Sequence, residues 1–344
     1  MLAPLLTPRV ASGDNQGLKA WEKTFSTSNS CQADDSKRPS VGQGENGRLD
    51  SIWQRTGEYG LMFLLAMGMM FVLLLANGNA QFGRSRIMKP PWPQPRQDVP
   101  GWAALHLSYI DKIAQASATQ GLDILMYGDT LVEALRGTFL GEPSVRAHGC
   151  ADVFHNQFGS RYRAAALGIA GDTTANLMWR LQNGEVVPGL QVGTVVLQIG
   201  SSDLTYASFQ GDEHINTAAN VTSARAARIA DYLTQALPGT TVLILGLLPR
   251  GDVTLQPDSA AFSLPNKFSG AIAKINSYLA SFAEMHSSRK HVQFVDCGAH
   301  FLAEDESRLD EELLPDGVQP NAAGMDALAQ CLLPVIEDIH SHHR

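Results

Sequence analysis

Residues 101–340 predict an α/β domain built on a parallel β-sheet. Three observations carry this. Five short apolar runs alternate with helical patterns along this stretch. The run Thr194–Ile199 is continuously apolar, as a strand buried on both faces must be. Turns rich in Gly, Ser, Thr and Asp follow the strands, at the edge where open α/β sheets bind ligands. Strands separated by helices imply a parallel sheet covered on both faces.

The elements follow in order. Trp102 to Thr119 reads as a helix. Ile124–Tyr127 is the first strand, with a helix over Leu131–Phe139 behind it. Residues 140–160 read as a long loop carrying His148, Cys150 and His155, whose spacing matches no common metal site. Arg163–Ile169 is the second strand, followed by a helix through Leu177, Trp179 and Leu181. Thr194–Ile199 is the third strand, and a helix spans roughly Thr217–Leu237. Thr241–Leu247 is the fourth strand. After an irregular loop at 252–264, Asn266–Met285 is helical and His291–Val295 is the fifth strand. A final helix runs to about Ile339.

Composition bounds the function. Hydrophobic residues make up 44% and charged residues 17%, enough for a sizeable core. A net charge of −8 argues against nucleic acid as a partner. The four cysteines (Cys31, Cys150, Cys297, Cys331) show neither metal-ligand spacing nor a dense disulfide framework. No metal or cofactor is implied. One triplet, Asn220-Val-Thr222, is a glycosylation sequon.

The N-terminal third has a different character. Residues 1–58 are polar and lack periodicity, which predicts a disordered arm. Residues 59–76 are almost wholly apolar, and about 18 such residues suffice to cross a bilayer core. The segment reads as a single-pass transmembrane anchor, at an endomembrane or the cell surface. A signal peptide cut after Gly78-Asn-Ala80 is the alternative, and the long preceding arm favours the anchor. Arg48 and Arg55 precede the span, and Arg84, Arg86 and Lys89 follow it, so charge does not orient it. Residues 77–100 form a linker, whose Pro-rich part at 89–100 predicts a stiff spacer holding the domain away from the span.

Chemistry centres on Asp123–Gly137, a strand, a sharp turn and a helix start. There Thr130 is either a nucleophile facing a cleft or merely the cap of the following helix. The turn Gly168-Ile-Ala-Gly-Asp-Thr-Thr174 presents backbone N–H groups suited to a developing oxyanion. Its plainer reading is a tight turn with Asp172 or Thr173 as N-cap. Further turns are Gly200-Ser-Ser-Asp203 and Leu314-Pro-Asp-Gly-Val-Gln-Pro-Asn-Ala-Ala-Gly324.

Taken together, Gly128-Asp-Thr, Gly171-Asp-Thr-Thr, Gly200-Ser-Ser-Asp and Asp316-Gly-Val-Gln-Pro-Asn resemble, in that order, the motif blocks of SGNH (GDSL-type) hydrolases. Leu167–Glu185 and Leu245-Gly-Leu-Leu-Pro-Arg-Gly251 are most similar to the catalytic subunits of platelet-activating-factor acetylhydrolases. The resemblance covers about residues 100–340. It implies a three-layer, flavodoxin-like fold with a five-stranded parallel sheet in the order 2-1-3-4-5, and hydrolysis of short acyl esters. It also implies homodimers and a WD-repeat partner. In active members a Ser follows the first Gly-Asp, a His takes its proton and an Asp orients the His. By this resemblance Thr130 stands at the nucleophile position, Gly171 and Ser202 at oxyanion positions beside the N–H of Thr130, Asp316 at the orienting acid and Gln319 at the base. Asp129, Asp172 and Asp203 support the turns.

These substitutions alter the expected chemistry. An amide cannot take a proton near neutral pH, so Gln319 is no base. A Thr130 hydroxyl without a base stays weakly nucleophilic. Ser202 is shorter than the Asn amide it replaces. His300 is a possible substitute base, as are His148 or His155 if folded over the cleft; Asp316 acting through water is a further route. Two classes of function follow: an impaired esterase-like domain holding an acyl ester, an acetylated ligand or a partner, and an active esterase with an altered catalytic set.

Overall fold

The computed structural model describes residues 92–252, 259–286 and 291–342. The expected arm at 1–58, the apolar segment at 59–76 and the linker up to residue 91 lie outside the described residues. Among the described residues no helix is long and apolar enough to cross a membrane.

The elements are α1 (Trp102–Ser117), β1 (Leu122–Gly128), α2 (Thr130–Ala134), β2 (Thr138–Phe139), β3 (Glu142–Pro143), α3 (Cys150–Phe154), β4 (Ala164–Gly168), α4 (Thr174–Arg180), β5 (Val192–Gln198), α5 (Ser201–Gln210), α6 (Ile215–Ala236), β6 (Thr241–Leu245), α7 (Ser269–His286), β7 (Val292–Val295) and α8 (Ala322–His342). Five parallel strands form the sheet in the order β4-β1-β5-β6-β7. The hairpin β2–β3 intervenes in the chain, so strand numbers beyond the first differ from the expected 2-1-3-4-5. Counting only strands of the sheet, the spatial order is second, first, third, fourth, fifth.

Alternation along β1 divides the core in two. Leu125 and Tyr127 enter one apolar cluster with Tyr109 of α1, Leu177 of α4, Ile229 of α6 and Ile275 of α7. Ile124 and Met126 enter the other, with Leu131 of α2, Cys150 of α3 and Leu332 of α8. These are the two faces of a three-layer α/β domain. A disulfide between Cys297 and Cys331 joins the segment after β7 to α8, and Cys150 is buried and free.

Three expectations need correction. The helix behind β1 ends at Ala134 rather than Phe139. Gly137 turns the chain at φ +75°. The buried Glu133 carboxylate then accepts from Gly141 N (2.7 Å) and Thr138 Oγ1 (3.0 Å), which folds β2 and β3 back. Residues 140–160 are therefore not a bare loop, but hold β3, a 3-10 turn at Val145–Ala147 and α3. Finally, residues 92–100 are docked on the domain rather than standing clear of it. Trp92 and Val99 pack against the core, Gln94 N donates to Ala175 O (3.2 Å), and Arg96 Nη1 donates to Ala170 O (2.7 Å). Proline stiffness fixed this segment's shape, while its Trp, Arg and Val side chains fixed its place.

Candidate active site

The site forms at the carboxyl ends of β1, β4 and β5. Gly128 ends β1 and Gly168 ends β4, paired in register. A Cβ at Gly168 would lie 2.3 Å from Glu133 N and 2.5 Å from Asp129 O. Only glycine lets α2 start this close to β4. That approach brings Thr130 Oγ1 within 3.0 Å of Gly171 N, which donates to it. Gly171 adopts φ +77°, a left-handed conformation that aims this N–H into the turn.

Asp129, not Thr130, caps α2, its carboxylate accepting from Leu131 N (3.3 Å). Its Oδ2 is buried with no hydrogen-bond partner. Burial pushes its carboxyl up to about 7, and the neighbouring Asp203 and Asp172 add to the rise. Ser202 is itself buried at the start of α5. Asp203 accepts from Thr174 N (2.9 Å) and Thr174 Oγ1 (2.7 Å), and burial raises its carboxyl to about 6. Thr173 is the N-cap of α4, with Asn176 Oδ1 reaching back to its N–H (2.9 Å). The turn residues Asp129, Thr130, Gly171, Ser202 and Asp203 are thus tied into one frame.

Asp172 belongs to a buried charged chain. It accepts from Trp102 Nε1 (2.7 Å), and its carboxylate pairs with Arg96 Nη1 (3.2 Å) and Arg180 Nε (2.9 Å). Burial nevertheless pushes it up to about 6, against the pull of Arg180, Trp102 and Arg96. Arg180 also pairs with Glu185 (3.1 Å), which His106 Nδ1 contacts at 2.8 Å. The same guanidinium donates to Leu167 O and Gly128 O, both at 3.1 Å. It holds the ends of β1 and β4 together.

The remaining expected residues sit in a different relation. Asp316 Oδ1 accepts from Val318 N (2.9 Å) and Gln319 N (2.7 Å). Its Oδ2 lies 2.8 Å from Arg146 Nη1, an ion pair whose arginine side chain is 63% exposed. Gln319 Oε1 is buried with no hydrogen-bond partner. Among the described residues, Gly171 N is the group hydrogen-bonded to the Thr130 hydroxyl, and no imidazole is. His300 lies in an exposed 3-10 turn after β7, and His148 and His155 are exposed. Among the described residues no group of three or more His, Cys, Asp and Glu is gathered as metal ligands.

Sequence reasoning missed Arg250. It is 4% exposed, donates through Nη1 to Thr205 Oγ1 (2.6 Å) and Ser201 O (3.2 Å), and stacks over Phe268. Burial pulls its pKa down to about 10, opposed by the charges of Asp129, Asp252 and Asp316. Its cation therefore lies within electrostatic reach of both Asp129 and Asp316. The Leu-Pro-Arg-Gly run carried the only signal. Glu133 and the Arg180–Glu185 pair were missed because charged residues within a helical pattern read by default as solvated, and Arg96 because it sits in a Pro-rich stretch read as a spacer.

A protein-family comparison matches residues 126–327 to the GDSL-like Lipase/Acylhydrolase family, and the chain belongs to that family. Among curated relatives, the alpha1 subunit of platelet-activating factor acetylhydrolase IB from Homo sapiens is 30% identical over 162 residues, 46% of this chain and 57% of that protein. The chain thus spans little more than half the length of that relative. The alpha2 subunit from Homo sapiens is 25% identical over 62% of this chain and 75% of its own length. Among solved structures, a GDSL-like lipase from Bacteroides thetaiotaomicron is 18% identical with a TM-score of 0.45, covering 68% of this chain and 98% of that one. A catalytic mutant of an acetylxylan esterase from Geobacillus stearothermophilus is 17% identical with a TM-score of 0.46, covering 63% and 94%.

Proposed function

We propose that this chain is a membrane-tethered acylhydrolase-fold domain whose hydrolytic turnover is impaired, and that it binds an acyl ester, an acetylated ligand or a partner. One observation carries the reading. The Thr130 hydroxyl faces the Gly171 N–H at 3.0 Å, while the base position holds Gln319, which cannot accept a proton. Losing the base of such a triad costs on the order of 10⁶ in turnover. The missing Asn at Ser202 removes an oxyanion donor worth roughly 10²–10³. The purified full chain should release no acetate from an activated aryl ester above the buffer rate. Clear turnover that disappears in Thr130→Ala would overturn the reading.

A second reading has one observation in its favour. Asp129 adjoins Thr130, has an unpartnered Oδ2, and is raised to about 7, where a carboxylate acts well as a general base. An active esterase on this plan would lose its activity in Asp129→Asn, and its rate would rise with pH through about 7.

The tether is assigned to residues 59–76, with the domain on an oxidising side of the membrane. The Cys297–Cys331 disulfide supports this, since such bonds persist in secretory and extracellular compartments. Asn220 of the sequon is exposed on α6. Protease protection in sealed vesicles tests the topology: a domain digested from the cytoplasmic face would contradict it.

A further inference from the structure

Beside the Gly171 turn lies a cavity of about 490 Å³, walled by the docked segment 94–99 on one side and by α5 and α6 on the other. Thr130, Asp316 and Gln319 are not among its lining residues, whereas Arg96, Thr173 and Asp203 are, each one or two positions from an expected oxyanion residue or adjacent to it in space. Its volume lies in the range of small-molecule sites.

Arg96 is placed in an unusual way. Nη1 is committed to Ala170 O (2.7 Å) and Asp172 Oδ1 (3.2 Å). Nη2 makes no hydrogen bond with the described residues. It packs over Gly171, 3.0 Å from where a Cβ would stand. Gly171 N in turn contacts Thr130 Oγ1 at 3.0 Å. A cationic donor therefore overhangs the Gly171 turn, beside the backbone N–H that meets the Thr130 hydroxyl. Pro95, Val99, Ala207, Ala218 and Val221 supply apolar wall behind it.

Resting on the acyl-ligand reading above, we infer that Arg96 is the group that binds the acyl oxygen. Its Nη2 donates to an ester carbonyl or a carboxylate, and a short alkyl tail lies along Pro95, Val99 and Ala218. The docked segment is then part of the binding site. Guanidinium donors give stronger hydrogen bonds to carbonyl and carboxylate oxygens than neutral groups do.

The test uses the full chain with two probes of equal tail length, hexanoate and 1-hexanol, by ligand-observed NMR titration. Wild type should bind hexanoate more tightly. Arg96→Ala should weaken hexanoate about tenfold or more, a charge-assisted hydrogen bond expressed as affinity, and leave hexanol unchanged. Arg96→Lys keeps a cation beside Asp172 without Nη2, and should also lose most of the preference. Wild-type protein supplies a check that needs no variant: hexanoate should slow phenylglyoxal modification of Arg96, mapped by peptide mass, and not that of exposed Arg163. Hexanoate binding that neither depends on Arg96 nor shields it overturns this inference alone. Absence of hexanoate binding in wild type overturns the acyl-ligand reading and this inference with it.

Discussion

Rebuilding the catalytic set should gain from a fourth change that the motif positions do not suggest. Thr130→Ser, Ser202→Asn and Gln319→His restore nucleophile, oxyanion amide and base. The new imidazole would still compete with Arg146 for Asp316, because Arg146 Nη1 already lies 2.8 Å from Oδ2. That pair is solvent-facing, with the arginine 63% and the aspartate 23% exposed. Exposed pairs of this kind contribute about 1 kcal/mol or less. Arg146→Ala should therefore raise the triple variant's rate by up to about fivefold, and do nothing measurable in the wild-type background. The triple variant itself should exceed wild type by several orders of magnitude, since restoring a base alone is worth on the order of 10⁶ in a complete triad. The assay is acetate release from an aryl ester, with folding checked by circular dichroism. A folded triple variant no faster than wild type would refute the assignment of these turns. A large effect of Arg146→Ala in wild type would refute the role given to Arg146.

Other outcomes follow from single contacts. Asp129 has a folded pKa of about 7 against 3.8 for a free side chain, so the folded state holds a proton that the unfolded chain releases between those values. Its stabilisation is complete at low pH and is lost as pH rises towards about 7, by up to about 4 kcal/mol. Asp129→Asn should flatten that part of the profile in denaturant titrations at pH 5 and pH 8, and an unaltered slope would count against it. Gly168→Ala places a Cβ 2.3 Å from Glu133 N, so it should lower the denaturant midpoint by roughly 1–3 kcal/mol of stability. Cys297→Ser with Cys331→Ser opens a loop of sequence separation 34, and should cost about 4 kcal/mol in reversible unfolding. A reductant should reproduce that loss in wild type.

The strands were legible because apolar runs such as Val192–Gln198 have no other place to go in a domain of this size. The turns were legible because Gly and Asp punctuate them at the strand ends. Hairpin β2–β3 was hidden, since it depends on one buried carboxylate, Glu133, in what reads as the middle of a helix. Docking of residues 92–100 was equally hidden. A Pro-rich composition encodes stiffness, and only the partner surface around Asp172 and Arg225 gives Arg96 and Trp92 somewhere to bind. At the site, the positions of Thr130, Gly171 and Ser202 followed from the turns. Their neighbours Arg250, Arg146 and Arg96 come from three distant segments, and pattern along the chain cannot show such convergence. The Cys297–Cys331 pairing belongs to the same kind, a contact set by the packing of α8 beyond the edge strand.

Arg180 draws these points together. One guanidinium grips the terminal carbonyls of β1 and β4, and two carboxylates grip it in return. The geometry of the turns is therefore underwritten from below, by fully buried groups. Residues 130, 202 and 319 take no part in that anchor. A change of side chain at any of those three positions would leave the mount beneath it with every one of its hydrogen bonds.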